Sequence, residues 1–398
     1  MQQRYLNLVV FLLAFLVIQP ALPATLACVE RGPIDSRYFG MHIHRFHDPR
    51  LVPAVEFGSW RLWDSGTSWK DLQPTKEAWD FRRLELALSI AQKRGVEVGL
   101  VLGMTPRWAA ARPAEQSFAG EGAASEPRDF ADWDNYVRTV ALRYKGRIHF
   151  YEIWNEPAGA GFYTGTVPQM VELASRAYRI IKEADPRAIV VSPSPAKASS
   201  IAWFSQFVSA GGMSHADVVG YHFYTDSRTP EDLIPLVVSV RTVLTKYGIR
   251  KPLWNTESGV ANDGTPNSGL QVGPAAHLAR WLILGACLGL DRFHYYAWDN
   301  GGLGLFDPER VSIRPQGLAY AQVGKWLKGS VMTVCNANQR WTRCSFQKQG
   351  KSYSILWARS ETFIGEVGDF QYVEDSFGAA LQDPPASLPL GAAPIMAW

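Results

Sequence analysis

Four cysteines in 398 residues are too few to build a disulfide-held scaffold, and no charge of one sign dominates, since 40 Lys and Arg stand against 37 Asp and Glu. So balanced a chain lacks the basic footprint of a nucleic-acid binder, and no nucleic-acid partner is expected. Several signatures are missing as well. There is no G-x-S-x-G elbow, no H-E-x-x-H, no Walker loop and no G-x-G-x-x-G, which removes the serine hydrolase, zinc protease, nucleotide and dinucleotide readings. No repeat of solenoid period and no low-complexity tail is present. What the chain does have is 47% apolar residues, enough for a full-sized core, and an aromatic share of 12% that includes 15 Trp. Surplus aromatics usually line something, and flat apolar ligand faces suit them.

At the N-terminus, Arg4 precedes a 13-residue run from Leu6 to Ile18 that is apolar except for Asn7, followed by Pro20, Pro23 and Ala24-Thr25-Leu26-Ala27. A cationic start, a short apolar run and a small-residue site read as a secretory signal peptide over residues 1–27, cut after Ala24 or Ala27. The run falls short of the roughly 20 residues that span a bilayer, so no stable membrane span is expected. Cys28 directly after Ala27 raises a lipid-anchored alternative, although Thr25-Leu26-Ala27 is a poor lipoprotein box. Export to the periplasm or the exterior favours disulfides. Cys335 and Cys344 flank a short polar segment that suits a disulfide across a hairpin, whereas Cys287, in an apolar helical run, reads as a buried thiol.

From about Arg37 to Gly329, short β-rich apolar segments alternate eight times with longer stretches of helical periodicity. The strand candidates are Tyr38–His44, Ser59–Trp63, Val96–Gly103, Ile148–Trp154, Ala188–Ser192, Val218–Tyr224, Pro252–Asn255 and Arg292–Trp298. Their near-continuous hydrophobicity means both faces are covered, as in a parallel sheet. Helical stretches such as Phe81–Arg94, Phe130–Tyr144, Val167–Glu183, Glu231–Tyr247 and Pro274–Gly289 lie between them. Eight such units predict an α/β fold, a (β/α)8 TIM barrel over residues 28–330. A doubly wound open sheet is the runner-up, disfavoured because no Gly-rich phosphate loop follows an early strand. From about Val331 strands follow one another without helices, predicting a small C-terminal all-β, sandwich-like domain over 331–398.

Active sites of such barrels form at the C-terminal ends of the strands. Two carboxylates sit there: Glu156 ends Tyr151-Glu152-Ile153-Trp154-Asn155-Glu156-Pro157 on the fourth strand, and Glu257 lies in Leu253-Trp254-Asn255-Thr256-Glu257-Ser258-Gly259 on the seventh. Strands four and seven oppose each other, so the two can converge on one bound bond. Two convergent carboxylates are what glycoside hydrolysis requires, one a neutral acid and one an anion. Each alone also reads as an ordinary surface Glu.

The segment Trp154-Asn155-Glu156-Pro157 with Glu257 resembles the clan of retaining (β/α)8 glycoside hydrolases (clan A). Through Thr105-Pro106-Arg107-Trp108, the Tyr151–Pro157 segment and the β tail, the sequence is most similar to glycoside hydrolase family 39 and its relatives. That resemblance implies Glu156 as acid/base, Glu257 as nucleophile of a double displacement, Asn155 as a partner of the sugar 2-hydroxyl, and no cofactor. It also makes a carbohydrate the expected partner.

Other strand-end residues fit supporting roles. Arg61 could hold the nucleophile ionised or pair with Glu152 inside the barrel. His222 and Tyr224 share strand parity and could orient Glu257. Trp298, and with it Trp63 and Trp108, could be platforms for sugar C–H faces or plain core. His42, His44 and His47 invite a metal reading, but no carboxylate or Cys completes a ligand set, so no metal is expected and His42 or His44 is assigned to sugar hydrogen bonding. The expected activity is endo-acting cleavage of β-glycosidic bonds in a poly- or oligosaccharide, with a bacterial exopolysaccharide as the candidate polymer. An exo-acting β-xylosidase-like enzyme, a carbohydrate-binding protein without turnover and an envelope-tethered assembly protein are the alternatives.

Overall fold

The computed structural model describes residues 25–26, 28–225, 229–262, 272–359, 362–366, 370–384 and 387–398. The Leu6–Ile18 run, the rest of the predicted signal peptide up to Ala24, and Ala27 lie outside the described residues.

Eight parallel strands form one sheet: β1 (Phe39–Met41), β2 (Ser59–Leu62), β3 (Glu97–Leu102), β4 (Phe150–Ile153), β5 (Ile189–Val191), β6 (Val219–His222), β7 (Leu253–Ser258) and β8 (Leu290–Tyr295). Their order is β5-β4-β3-β2-β1-β8-β7-β6, and the parallel bridges Val191–Val218 and Ala196–His222 join β5 to β6. The sheet is therefore a (β/α)8 barrel. Around it run α1 (Arg82–Arg94), α2 (Phe130–Arg143), α3 (Val167–Ala184), α4 (Ile201–Ser209), α5 (Leu233–Lys246), α6 (Pro274–Cys287) and α7 (Pro315–Leu327).

The first strand-helix unit departs from the expected eight. The β1–β2 connection holds only a 3-10 turn, Pro49–Leu51, with Asp48 accepting from the Arg50 N–H. Pro49 and Pro53 lack the N–H groups that a longer helix would need there. Elsewhere local chemistry marks the helix ends. Gly95 stops α1 in the left-handed region at φ 65°, and Thr166 and Gln169 form a reciprocal capping box at the start of α3.

Inside the barrel, small and large residues interlock. A Cβ on Gly99 would collide with the Phe150 ring, and one on Gly220 with Ser194. Phe150 meets Trp254 edge-on with ring centroids 5.3 Å apart, and the Arg292 guanidinium sits 4.1 Å from the Trp254 ring. This layer fills the lower barrel and leaves the upper ends of the strands for polar groups.

After α7 the chain enters β9 (Val331–Ala337), β10 (Trp341–Lys348), β11 (Lys351–Ala358), β12 (Phe363–Glu366), β13 (Tyr372–Asp375), β14 (Ala380–Gln382), β15 (Ser387–Leu390) and β16 (Ile395–Ala397). Seven strands make a second, antiparallel sheet in the order Thr25–Leu26, β9, β10, β11, β16, β13, β14, while β12 and β15 pair separately. Phe346, Ile355 and Trp357 of this sheet belong to the same continuous core as the barrel helices. Glu231 at the start of α5 ties the two together, accepting from Trp357 Nε1 at 2.9 Å and pairing with Arg280 at 3.3 Å.

The cysteines correct the sequence reading. Cys335 and Cys344 are paired as expected, facing each other across β9 and β10. Cys287, expected as a buried thiol, is instead bonded to Cys28, whose Cα lies 4.5 Å from its own. A separation of 259 residues hides such a pairing from any spacing argument. It also takes the Cys28 sulfur that a lipid anchor would need. The short strand Thr25–Leu26 pairs with Asn336 and Cys335, and Leu26 is buried, so residues inside the expected 1–27 leader are part of the folded sheet.

Candidate active site

At the C-terminal rim of the barrel, four strands, β2, β4, β6 and β7, deliver one hydrogen-bonded cluster. Arg61, from β2, is fully buried and is its hub. Its Nε and Nη2 clamp both oxygens of Glu152 at 2.6 and 2.8 Å, Nη2 also donates to Asn155 Oδ1 at 2.9 Å, and Nη1 donates to Glu257 Oε2 at 2.8 Å. The two sequence readings of Arg61, ion pair with Glu152 and partner of Glu257, are thus both present in one guanidinium. Tyr224, just past β6, donates its hydroxyl to Glu257 Oε1 at 3.0 Å. His222, at the end of β6, brings Nδ1 to 2.8 Å from Glu156 Oε1. A carboxylate oxygen of Glu156, one of Glu257 and a ring nitrogen of His222 lie within 4.8 Å of one another.

Backbone strain accompanies this placement. Trp154 and Glu156 adopt φ of 67° and 45°, costly for residues with a Cβ. The turn is pinned by Trp154 Nε1 donating to the Phe162 carbonyl at 2.8 Å and by the Glu156 N–H donating to the Ser194 carbonyl at 3.0 Å.

The electrostatics follow from burial opposed by charge. Burial resists ionisation of Glu152, yet Arg61 and His222 hold its carboxyl down at about 2. Burial likewise resists charge on His222, but Glu257, Glu152 and Glu156 raise it to about 9. The Nη2 protons of Arg61 are committed to Glu152 and Asn155, so its 3.3 Å approach to His222 Nε2 is a like-charge contact that limits that rise. Burial raises the Glu257 carboxyl, the Glu156 charge adds to this, and His222 and Arg61 pull against it.

The cluster floors a cavity of about 600 Å³ whose walls carry Trp63, Phe118, Phe162, Trp281 and Tyr296. The Tyr296 hydroxyl donates to Asp64 at 2.6 Å, and Asp64 also holds His44 at 3.0 Å. Although burial opposes its charge, Asp299 and Asp64 raise His44 to about 10.

Several expected site residues are placed elsewhere. Trp298 is fully buried, donates from Nε1 to the Leu51 carbonyl at 2.8 Å and stacks on Phe306, so it offers no face to a ligand. Trp108 lies outside the cavity, edge-on to Trp69 and bonded to the Gln73 carbonyl at 2.9 Å. His42 is buried below the cavity with Nε2 at 3.2 Å from the Thr256 carbonyl, out of a sugar's reach. The strand-one histidines do not converge. Among the described residues the groups close enough to share a metal ion are Glu156–His222–Glu257 and Cys28–Cys287–Cys335.

Sequence reasoning missed Asp64, Phe118, Phe162 and Tyr296. Asp64 lies two residues past β2 and Tyr296 directly follows β8, positions that could have flagged them. Phe118 and Phe162 lie in loops whose paths no periodicity reveals.

Residues 129–280, which include both Glu156 and Glu257, match the family model described as the glycosyl hydrolase catalytic core. No curated protein matches the chain. Among solved structures, a family 39 glycoside hydrolase from Bacteroides cellulosilyticus WH2 superposes with a TM-score of 0.73 at 18% identity, covering 93% of this chain and 82% of that one. A monomeric β-xylosidase from Caulobacter crescentus CB15 gives 0.68 at 17% identity over 92% and 97%. A GH30 endoxylanase from Clostridium papyrosolvens C71 gives 0.64 at 15% identity over 94% and 97%. At such identities the likeness is one of fold. Residues 129–280 thus match a glycosyl hydrolase catalytic core, within a (β/α)8 barrel that is followed by a β sheet.

Proposed function

We propose that the chain is an exported, retaining glycoside hydrolase that cleaves β-linked polysaccharide within the chain by double displacement. The observation that carries the reading is the approach of the Glu156 and Glu257 oxygens to within 4.8 Å. Carboxyl groups roughly 5–5.5 Å apart act as acid and nucleophile, whereas separations of about 6.5–9.5 Å leave room for the water of an inverting reaction.

In this reading Glu257 attacks the anomeric carbon while the bond to the leaving oxygen breaks and Glu156 gives that oxygen a proton. A glycosyl ester on Glu257 results. Water, deprotonated by Glu156, then releases the sugar with its original configuration. Arg61 and Tyr224 donate to the two oxygens of Glu257 and favour its anion. His222 Nδ1, 2.8 Å from Glu156 Oε1, holds that carboxyl in place for the proton transfer. Asn155 has Oδ1 engaged by Arg61 while Nδ2 is buried without a protein partner, which suits a donor to the sugar 2-hydroxyl.

Aromatic residues from several loops around one cavity support an internal stretch of polymer as the substrate. The fold shared with a β-xylosidase favours a second reading, removal of single sugars from a chain end. Product analysis separates them, with short oligomers for the first and monosaccharide alone for the second. Export is supported by two disulfides and by the Leu6–Ile18 run, and among the described residues no helix is long and apolar enough to cross a membrane. The Thr25–Leu26 strand supports leader cleavage after Ala24.

A further inference from the structure

A second cavity, of about 310 Å³, opens where the C-terminal end of α7 meets the β sheet, and it shares no lining residue with the first. In this barrel the helices run back from the strand C-termini, so the end of α7 lies toward the opposite face from Glu156 and Glu257. Its walls combine Trp326, Tyr353 and Trp398 with Lys325, Lys348 and Lys351.

Two features set these residues apart from ordinary surface. First, the Trp398 backbone is fixed: its N–H donates to the Tyr372 carbonyl at 3.1 Å, and its carbonyl accepts from Gln371 and Tyr372 at 2.9 and 3.0 Å. The residue nonetheless stays 41% exposed. An exposed aromatic side chain on a backbone already held in the sheet costs less further entropy when a flat apolar face stacks on it.

Second, the lysines are not neutralised. Lys348 Nζ donates to the Lys325 carbonyl at 2.7 Å, and Lys351 Nζ lies 4.7 Å from the Trp398 ring centroid, but among the described residues none of the three forms an ion pair with a carboxylate. Glu374 is the one acidic residue in the lining, and its Oε2 accepts from Trp326 Nε1 at 2.7 Å. Burial, and then the nearby Lys328, lower the Lys348 pKa.

We propose that this crevice is an accessory binding site for an acidic oligosaccharide, its sugar face stacked on Trp398 and its carboxylates met by Lys325, Lys348 and Lys351. The inference rests on the glycosidase reading only for the class of polymer. It adds that the polymer carries uronate groups and is held at a point remote from cleavage.

The test is calorimetric titration of the full-length Glu257→Gln protein with oligogalacturonate, an α-linked uronate that probes the crevice's charge and stacking and is no substrate for a β-glycosidase, and with xylohexaose as the neutral control. Oligogalacturonate is expected to bind and xylohexaose to bind at least about tenfold more weakly. Trp398→Ala, and separately Lys348→Ala with Lys351→Ala, should each weaken oligogalacturonate at least about tenfold. The same substitutions in the wild-type background should leave the melting temperature and the turnover of small aryl glycosides unchanged. No oligogalacturonate binding, or binding indifferent to both substitutions, overturns the proposal. So does weakening by the lysine changes but not by Trp398→Ala together with equal binding of dextran sulfate, which marks a bare polyanion patch. Binding is read without turnover, so an inactive protein that still binds defeats the glycosidase reading alone.

Discussion

Arg61 reaches Glu257 Oε2 at 2.8 Å with one nitrogen while its other two hold both oxygens of Glu152 at 2.6 and 2.8 Å. One buried cation therefore serves two carboxylates, one deep in the barrel and one facing the cavity. The anion that the proposed chemistry needs is positioned by the same contact that keeps the barrel's interior charge balanced.

Removing that cation strands two buried carboxylates. Arg61→Met should destabilise the protein by about 3–5 kcal/mol, since breaking a buried pair leaves uncompensated charge. Urea unfolding of the two proteins measures it, and a loss below about 1 kcal/mol would mean that water already reaches the cluster.

Glu257→Gln should abolish turnover of every substrate. Glu156→Gln should lower the rate on natural glycosides by about 10²–10⁴-fold yet spare aryl glycosides whose leaving groups need no proton. Kinetics on a matched pair of substrates read the difference, and equal loss on both would undo the assignment of roles.

The pH dependence follows from the cited shifts. Burial raises Glu257, so activity should fall on acidification at a pH above the ordinary carboxyl value of 4.5. His222 is raised from 6.5 to about 9, so the stability it contributes is complete below pH 6.5 and lost as pH climbs through about 9. Activity should decline over the same alkaline window. In a His222→Gln protein the alkaline limb should move, which a pH–rate profile on an aryl glycoside shows directly.

Much of this was legible in the sequence, and the reasons differ by element. The strands of the barrel stand out because burial on both faces leaves continuous apolar runs, and Glu156 and Glu257 because each ends such a run. Arg61 and Tyr224 follow from their place on strands. Trp298 misled because a strand-end Trp looks the same in sequence whether it faces the cavity or stacks on Phe306. The Cys28–Cys287 bond and the Thr25–Leu26 strand were hidden because both depend on contacts across almost the whole chain.

The N-terminus offers a separate check. On the export proposal, mass spectrometry of the mature protein should find it beginning at Thr25, without lipid, and with no free thiol before reduction. Cys28→Ser should cost about 2–4 kcal/mol. A lipid on Cys28 would contradict the observed pairing with Cys287.

Truncation tests the second sheet. Trp357 and Phe346 share the barrel's core, so deleting Val331–Trp398 should yield insoluble or unfolded protein. A soluble, fully active remainder would show the sheet to be dispensable.

The most direct test of the central claim is NMR analysis of the products released from a panel of β-linked polysaccharides and aryl glycosides by the wild type and by Glu257→Gln. The account predicts new reducing ends in the retained β configuration from the wild type and none from the variant. Inverted products, undiminished turnover by Glu257→Gln, or no turnover of any member of the panel would contradict it.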